Sequence, residues 1–198
     1  MVNVDKSPLA LLDLVERLGT LIRAELRKVG AEQGLQVVHL QALVYLHRAN
    51  RYSNTPQALA EFLHLTKGTV SQSLLLLDRR GLIERYEDEV DRRVVRLRLS
   101  PLGEQVIGEA EPGAQWHEAT REISANRIRN GVSALRETLF MMQVDNGSRS
   151  FGVCHTCTYL QRESQRVYRC GVMGDRISGP ETRRICREHS PKSSEQPG

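Results

Sequence analysis

Apolar positions recur at intervals of three and four along several long stretches of the chain, and at intervals of two in one short stretch. That change of period predicts its elements. Leu11, Leu14, Val15, Leu18, Leu21, Ile22 and Leu26 form one stripe, with Arg17, Arg23, Arg27 and Lys28 mostly off it, which predicts an amphipathic helix over 9–30. A second helix is expected over 35–49, with Val38, Ala42, Leu43 and Leu46 turned inward. His39 and His47 fall on this helix as packing or surface histidines rather than ligands. A third long helix is expected over 113–142, with Ile123, Ile128, Val132, Leu135 and Leu139 as its stripe. Apolar faces of this length need partners, and dimerisation supplies them.

Between these helices, residues 56–103 change pattern. Thr55 is a suitable N-cap with Pro56 in the first turn, where its missing N–H costs nothing. Ala58, Leu59 and Phe62 give a short helix its apolar face, and His64 and Leu65 form a turn. Thr66 caps the next helix, from Lys67 to about Arg80, with Val70, Leu74, Leu75 and Leu77 expected in the core. Its other face carries Lys67, Gly68, Thr69, Ser71, Gln72 and Ser73, short side chains rich in hydroxyl and amide groups that suit base edges and phosphates. Gly81 stops the helix.

Period two follows. Residues 82–86 and 94–99 read as two strands of a hairpin, Val95, Leu97 and Leu99 alternating with Val94, Arg96 and Arg98. The tip holds Asp88 and Asp91 beside Arg92 and Arg93, and an arginine pair at a hairpin tip suits the negative potential of a DNA minor groove. Pairing of Arg92 with Asp88 or Asp91 is compatible with that role, since a carboxylate can orient a guanidinium. Ser100-Pro101-Leu102-Gly103 begins another helix. Two short helices, a tight turn and a basic-tipped hairpin are the layout of a winged helix-turn-helix, whose second helix lies in the DNA major groove.

The run LTKGTVSQSLLLLDRRGLIER followed by DEVDRRVVRLRLSPLGEQV resembles the MarR family of bacterial transcription regulators. It has that family's capped recognition helix, GLI-R junction, D-x-x-D-R-R wing and L-S-x-x-G exit, in order, and the likeness spans about residues 8–143 with the flanking helices. The resemblance implies a homodimer built from the first helix and the last two, and a pseudo-palindromic operator. It also implies that small ligands, often phenolic, bind between the dimerisation and DNA-binding regions. The implied fold class is mainly α with a small β wing (α+β). Lys67, Thr69, Ser71, Gln72, Ser73, Arg92 and Arg93 are the candidate DNA contacts.

Composition narrows the picture. The chain has 198 residues and a net charge of +4, too modest to argue for DNA except through its placement at the wing. Aromatics at 5% disfavour stacking on single strands. There is no apolar run long enough for a membrane span, and the N-terminus lacks the pattern of a signal peptide, so a cytoplasmic protein is expected. No Gly-rich phosphate loop, H-E-x-x-H or paired carboxylates suggest an enzyme, and none is expected.

After a polar Gly- and Ser-bearing linker, 144–152, all four cysteines of the chain occur within 153–190: Cys154, Cys157, Cys170 and Cys186, spaced C-x2-C-x12-C-x15-C, with His189 as a further candidate ligand. A reducing cytosol disfavours structural disulfides. Four such residues suit a tetrahedral zinc ion, and equally an iron–sulfur cluster. Redox thiols without metal are the third reading. The segment has few apolar residues and needs a staple, which metal binding supplies as folding free energy. The set would then be a sensor of metal or redox state, or a purely structural zinc under a ligand-responsive regulator. A metal-binding interaction module without DNA binding is the remaining class. Residues 191–198, rich in Pro, Ser, Lys and Glu, read as a disordered tail.

Overall fold

The computed structural model describes residues 8–110, 114–145, 147 and 149–192. Seven helices and three small antiparallel sheets occur among them. Helix α1 is Pro8–Gln33, α2 is Val37–Arg48, α3 is Pro56–Leu63 and α4 is Lys67–Arg79. Strands β1 (Ile83–Glu87) and β2 (Val95–Leu99) pair with Ile83 opposite Leu99 and Glu87 opposite Val95. Helices α5 (Pro101–Ala110), α6 (Ala114–Thr120) and α7 (Ala125–Asp145) follow.

The caps expected from sequence form. Thr55 Oγ1 accepts the Ala58 N–H at 3.1 Å, Thr66 Oγ1 accepts that of Thr69 at 3.2 Å, and Ser100 Oγ that of Gly103 at 3.0 Å. His64 closes α3 in the left-handed region (φ 52°), setting the turn into α4. Gly81 (φ 65°) turns the chain from α4 toward β1. His39 is buried and serves locally: its Nδ1 accepts the Gln36 N–H at 3.1 Å at the start of α2. His47 Nδ1 lies 2.9 Å from Glu104 Oε2.

Two helix readings need correction. Leu75 is exposed, and Leu76 instead packs against the core beside Val70, Leu74 and Leu77. A run of four leucines leaves the facing undetermined by period alone, and contact with α2 and α3 selects it. The long helix expected over 113–142 is two helices, α6 and α7, broken at 121–124. Thr120 Oγ1 bonds back to the Trp116 carbonyl at 2.9 Å, and α7 restarts with the Ser124 carbonyl accepting the Ile128 N–H. Gly113 lies outside the described residues.

The main core joins α2, α3, α4, the wing strands and α5 around Leu40, Leu43, Tyr45, Leu59, Leu74, Leu77 and Leu97. The long outer helices take little part. In α1 only Gly30 is buried, and α7 has no buried residue. Their apolar stripes, from Leu11 to Ile22 and from Ile128 to Leu139, stand exposed.

The C-terminal segment carries β3 (Gly152–Val153), β4 (Leu160–Arg162), β5 (Val167–Cys170), β6 (Arg176–Ser178) and β7 (Ile185–Cys186). Strands β4, β5 and β6 form one sheet in that order, and β3 pairs with β7. Its own core is as small as composition predicts: Cys154, Ile177 and Cys186, with Leu160, Tyr168 and Cys170 packed against them. Ile185 instead joins the main core, and Phe151 packs there too. Residues 191 and 192, within the stretch expected to be disordered, are placed. The Ser190 carbonyl accepts the Thr158 N–H, and Pro191 bridges to Cys157. Residues 193–198 lie outside the described residues.

Candidate nucleic-acid interface and cysteine module

Helix α4 presents Lys67, Gly68, Thr69, Ser71 and Gln72 to solvent. Ser73 does not belong with them. It is buried, and its hydroxyl donates to the Thr69 carbonyl at 3.0 Å, as serines within helices commonly do. The Thr69 hydroxyl shares the cap, 2.9 Å from Thr66 Oγ1. Ser71 and Gln72 are therefore the readiest polar groups on this face.

The wing is held open by its acids. Asp88 Oδ1 accepts the amides of Val90 and Asp91 at 2.9 Å, and Oδ2 takes Arg96 Nε at 2.7 Å. The Asp91 amide, the Arg96 guanidinium and the Val90 amide together hold the Asp88 carboxyl down to about 2. Asp91 takes Arg93 in a fork, with both Nε and Nη2 at 2.9 Å. The pairing anticipated for Arg92 thus falls to Arg93 and Arg96. Arg92 is exposed with no hydrogen-bond partner among the described residues.

Sequence reasoning missed the segment that joins these parts, the α2–α3 connection 49–54. Asn54 Nδ2 donates to Tyr86 Oη and the Leu97 carbonyl, both at 2.9 Å, and its backbone carbonyl accepts the Leu97 N–H. Ser53 is fully buried: its carbonyl accepts the Tyr45 hydroxyl at 2.7 Å and its Oγ the Arg187 N–H at 2.8 Å. Asn50 is 3% exposed; its N–H donates to the Ile185 carbonyl at 2.9 Å, and its Nδ2 to Cys154 Sγ at 3.6 Å. Three small polar residues within five positions, directly after a helix, were the available signal for a buried polar junction.

The cysteine module is fastened to the helix-turn-helix half through this connection and through α3. Arg187 Nε and Nη2 grip Glu61 at 2.5 and 2.7 Å. Arg184 Nη1 donates to the carbonyls of His47 and Ala49 at 3.2 Å, closing the C-terminus of α2. Tyr52 Oη donates to Asp175 Oδ2 at 2.8 Å. Phe151 stands edge-on to Phe62, centroids 5.3 Å apart, and Phe62 in turn lies 4.7 Å from Tyr45.

Hydrogen bonds from Arg187 hold the Glu61 carboxyl below its usual range. A depressed carboxylate contributes stability above its unfolded pKa and loses it as pH falls through the folded value. The module is therefore expected to loosen in acid, below the ordinary glutamate range. Hydrogen exchange at 185–189 should show faster opening there, and Glu61→Gln should make opening independent of pH in that window. Identical acid sensitivity in Glu61→Gln would remove Glu61 as the cause.

Cys154, Cys157 and Cys186 are buried and Cys170 partly so, all four with free sulfurs. Cys154 and Cys186 share a side-chain hydrogen bond, and Asn50 Nδ2 donates to Cys154 Sγ at 3.6 Å. The Cys154 hydrogen bond holds the Cys186 thiol down to about 6, and the same bond with burial pushes Cys154 up. Cys170 packs against this pair, and Cys157 closes the turn with its N–H to the Cys154 carbonyl. His189 is occupied elsewhere, its Nε2 2.9 Å from Thr156 Oγ1. Among the described residues, no three His, Cys, Asp or Glu side chains are placed as a set that could hold a metal ion. The structure thus brings two of the four cysteines into direct contact, with Cys170 beside them.

A cavity of about 320 Å³ lies between α1, α2 and α3, lined by Ile22, Leu26, Tyr45, Arg48, Phe62 and Trp116 among others, and Ile185 of the module closes one side.

The fold and the α4 face define a winged helix-turn-helix protein. Residues 33–94, which hold α2 to α4 and the wing up to Val94, match the model of the MarR family. No curated protein matches the chain. Among solved structures it is similar to a MarR-family transcriptional regulator from Silicibacter pomeroyi, at 25% identity, 64% of this chain and 85% of that one, TM-score 0.56. It is also similar to a mutant MepR from a multidrug-resistant S. aureus clinical isolate, at 20% identity, 67% of this chain and 97% of that one, TM-score 0.58. CouR from Rhodococcus jostii, solved with p-coumaroyl-CoA bound, is similar at 19% identity, 63% of this chain and 88% of that one, TM-score 0.53. No helix among the described residues is long and apolar enough to cross a membrane.

Proposed function

We propose that the chain is a transcription regulator that binds double-stranded DNA as a homodimer, one α4 helix in each of two major-groove half-sites. The observation that carries this reading is the exposed Lys67–Gln72 face of α4 standing beside a wing whose Arg92 is free. Short hydroxyl and amide groups allow close approach to base edges, and Ser71 and Gln72 are the readers. Arg92 binds phosphate or the minor groove, while Arg93 stays tied to Asp91. The exposed stripes of α1 and α7 supply the second subunit's contact surface. The apolar cavity closed by Ile185 suits a small aromatic effector, with Arg48 on its wall to receive an acidic group.

Selection of duplexes from a random-sequence library tests this. The protein should enrich one two-fold-related sequence, with affinity falling steeply as salt rises. Gln72→Ala should weaken that sequence by roughly 1–3 kcal/mol and relax preference at one position. Arg92→Ala should weaken all duplexes alike and flatten the salt slope by about one. If Ser71→Ala and Gln72→Ala both keep the same preference and affinity, α4 is not the reading helix.

A further inference from the structure

Gln143 lies in the last turn of α7. Its side-chain oxygen Oε1 is buried and has no hydrogen-bond partner among the described residues. A buried acceptor left unpaired is costly, and most such groups in folded proteins meet a donor. Gln143 lines a second cavity, of about 420 Å³, between α7 and the C-terminal module. Along α7 its wall is formed at positions 132, 135, 136, 139, 140 and 143, one face of the helix at three- and four-residue spacing. Phe62, Ile185 and Arg48 line the first cavity as well, so the two share a wall. Of the lining residues only Arg48 and Phe62 fall within residues 33–94; the rest belong to α7 and to the segment after it.

The module side of the wall is fixed by its own contacts. Phe151 has φ 25°, a backbone conformation that a bulky residue keeps only where its surroundings hold it. Its ring stands edge-on to Phe62. Gly152 follows, and a Cβ there would lie 2.6 Å from the His189 ring, so that ring rests against bare backbone. Thr156 Oγ1 lies 2.9 Å from its Nε2 and Ser150 Oγ 3.5 Å from its Nδ1. Arg48 and Arg136 both line the cavity, and among the described residues no carboxylate does. The Arg48 guanidinium is exposed, with no hydrogen-bond or ion-pair partner among the described residues.

We infer that this cavity binds a small aromatic acid carrying an N–H or O–H donor. The rings of Phe62, Phe140 and Phe151 receive the aromatic body, Gln143 Oε1 accepts the donor, and Arg48 and Arg136 receive the acid. Mostly apolar walls with a few placed polar groups are the usual make-up of such sites. The site is separate from the effector cavity of the proposed function and does not depend on DNA binding. Val132, Leu135 and Leu139 also belong to the exposed stripe of α7, so in the proposed dimer a second subunit would border the cavity.

Calorimetric titration of the full chain with 4-anilinobenzoate and with 4-benzylbenzoate tests this. The two probes share charge and near-identical shape, and differ by an N–H against a CH2. The first should bind about tenfold more tightly, the ratio that one neutral hydrogen bond supplies. In Gln143→Leu, which keeps the bulk and removes the acceptor, the ratio should fall to about one. That variant without probe should melt no lower than the native chain, since it loses an unpaired acceptor rather than a bond. Arg48→Ala should weaken both probes alike. Hydrogen exchange locates the site: 4-anilinobenzoate should slow exchange at 139–143 and 150–153. Protection confined to 22–26 and 116, which line the first cavity alone, would overturn the assignment. So would equal affinity for the two probes, or a ratio that survives in Gln143→Leu. A lower melting temperature for Gln143→Leu would show its oxygen already bonded within the protein, with the same result. Unchanged affinity in Arg48→Ala would overturn the placement of the acid. No heat and no protection with either probe at millimolar concentration would overturn the whole inference and leave the space to a second subunit.

Discussion

Leu135→Glu combined with Leu139→Glu is expected to convert the protein from a dimer to a monomer at micromolar concentration and to abolish its selection of paired half-sites. Both residues stand on the exposed stripe of α7, where no residue is buried within the subunit. The change therefore removes nothing from the core of one chain. In the dimer it places four carboxylates in an apolar contact, and each unpaired buried charge costs several kcal/mol. In the proposed dimer the exposed stripe of α1, Leu11, Leu14 and Leu18, would be the other half of that contact and should respond in the same direction. Sedimentation velocity, with circular dichroism showing helices retained, checks it. A dimer that persists in the double variant would place the subunit contact elsewhere, and a wild-type monomer would end the two-half-site geometry.

Gly103→Ala is expected to be the most damaging single methyl in the helix-turn-helix half. A Cβ built on Gly103 would lie 2.0 Å from the Leu82 carbonyl oxygen, a backbone atom with no rotamer to escape into. That carbonyl is already engaged by the Ser100 N–H, so it cannot turn aside. Either α5 lifts from the root of the wing or β1 shifts. We expect a loss of roughly 2–5 kcal/mol, the range for overpacking and strain at buried positions. Gly108→Ala, with nothing within 4 Å, is the matched control and should be neutral or slightly stabilising. Thermal denaturation of both variants gives the comparison. Similar melting of the two would show that α5 moves freely at its first turn.

Gly103 also shows what kind of information the sequence carries. The L-S-x-x-G exit was legible as a pattern, but its glycine had no reason until α5 was seen to cross the Leu82 carbonyl. Helix caps, the turn at His64 and the two wing strands were readable because each depends on residues within a few positions. The facing of Leu75 and Leu76 was not, because four adjacent leucines satisfy the period either way. Nor was Ser73, whose hydroxyl finds an acceptor four residues back and so tolerates burial. Among the cysteines, spacing placed all four in one short module. It could not say which would touch, because the contact of Cys154 with Cys186 depends on β3 pairing with β7 across more than thirty residues. The partners of Asn50, Ser53 and Glu61 were out of reach for the same reason: they lie more than a hundred residues away.

Those long separations bear on how the protein is made. Ile185 and Phe151 belong to the same packed cluster as Tyr45, Leu59 and Phe62, so the helix-turn-helix finishes its interior only when the end of the module arrives. Closure over such sequence distances is slow compared with helix formation. On a ribosome, α2, α3 and α4 would emerge and associate early. They would wait for some hundred further residues with one wall of their core still wet, and the last step of folding would be the arrival of β7 against Asn50.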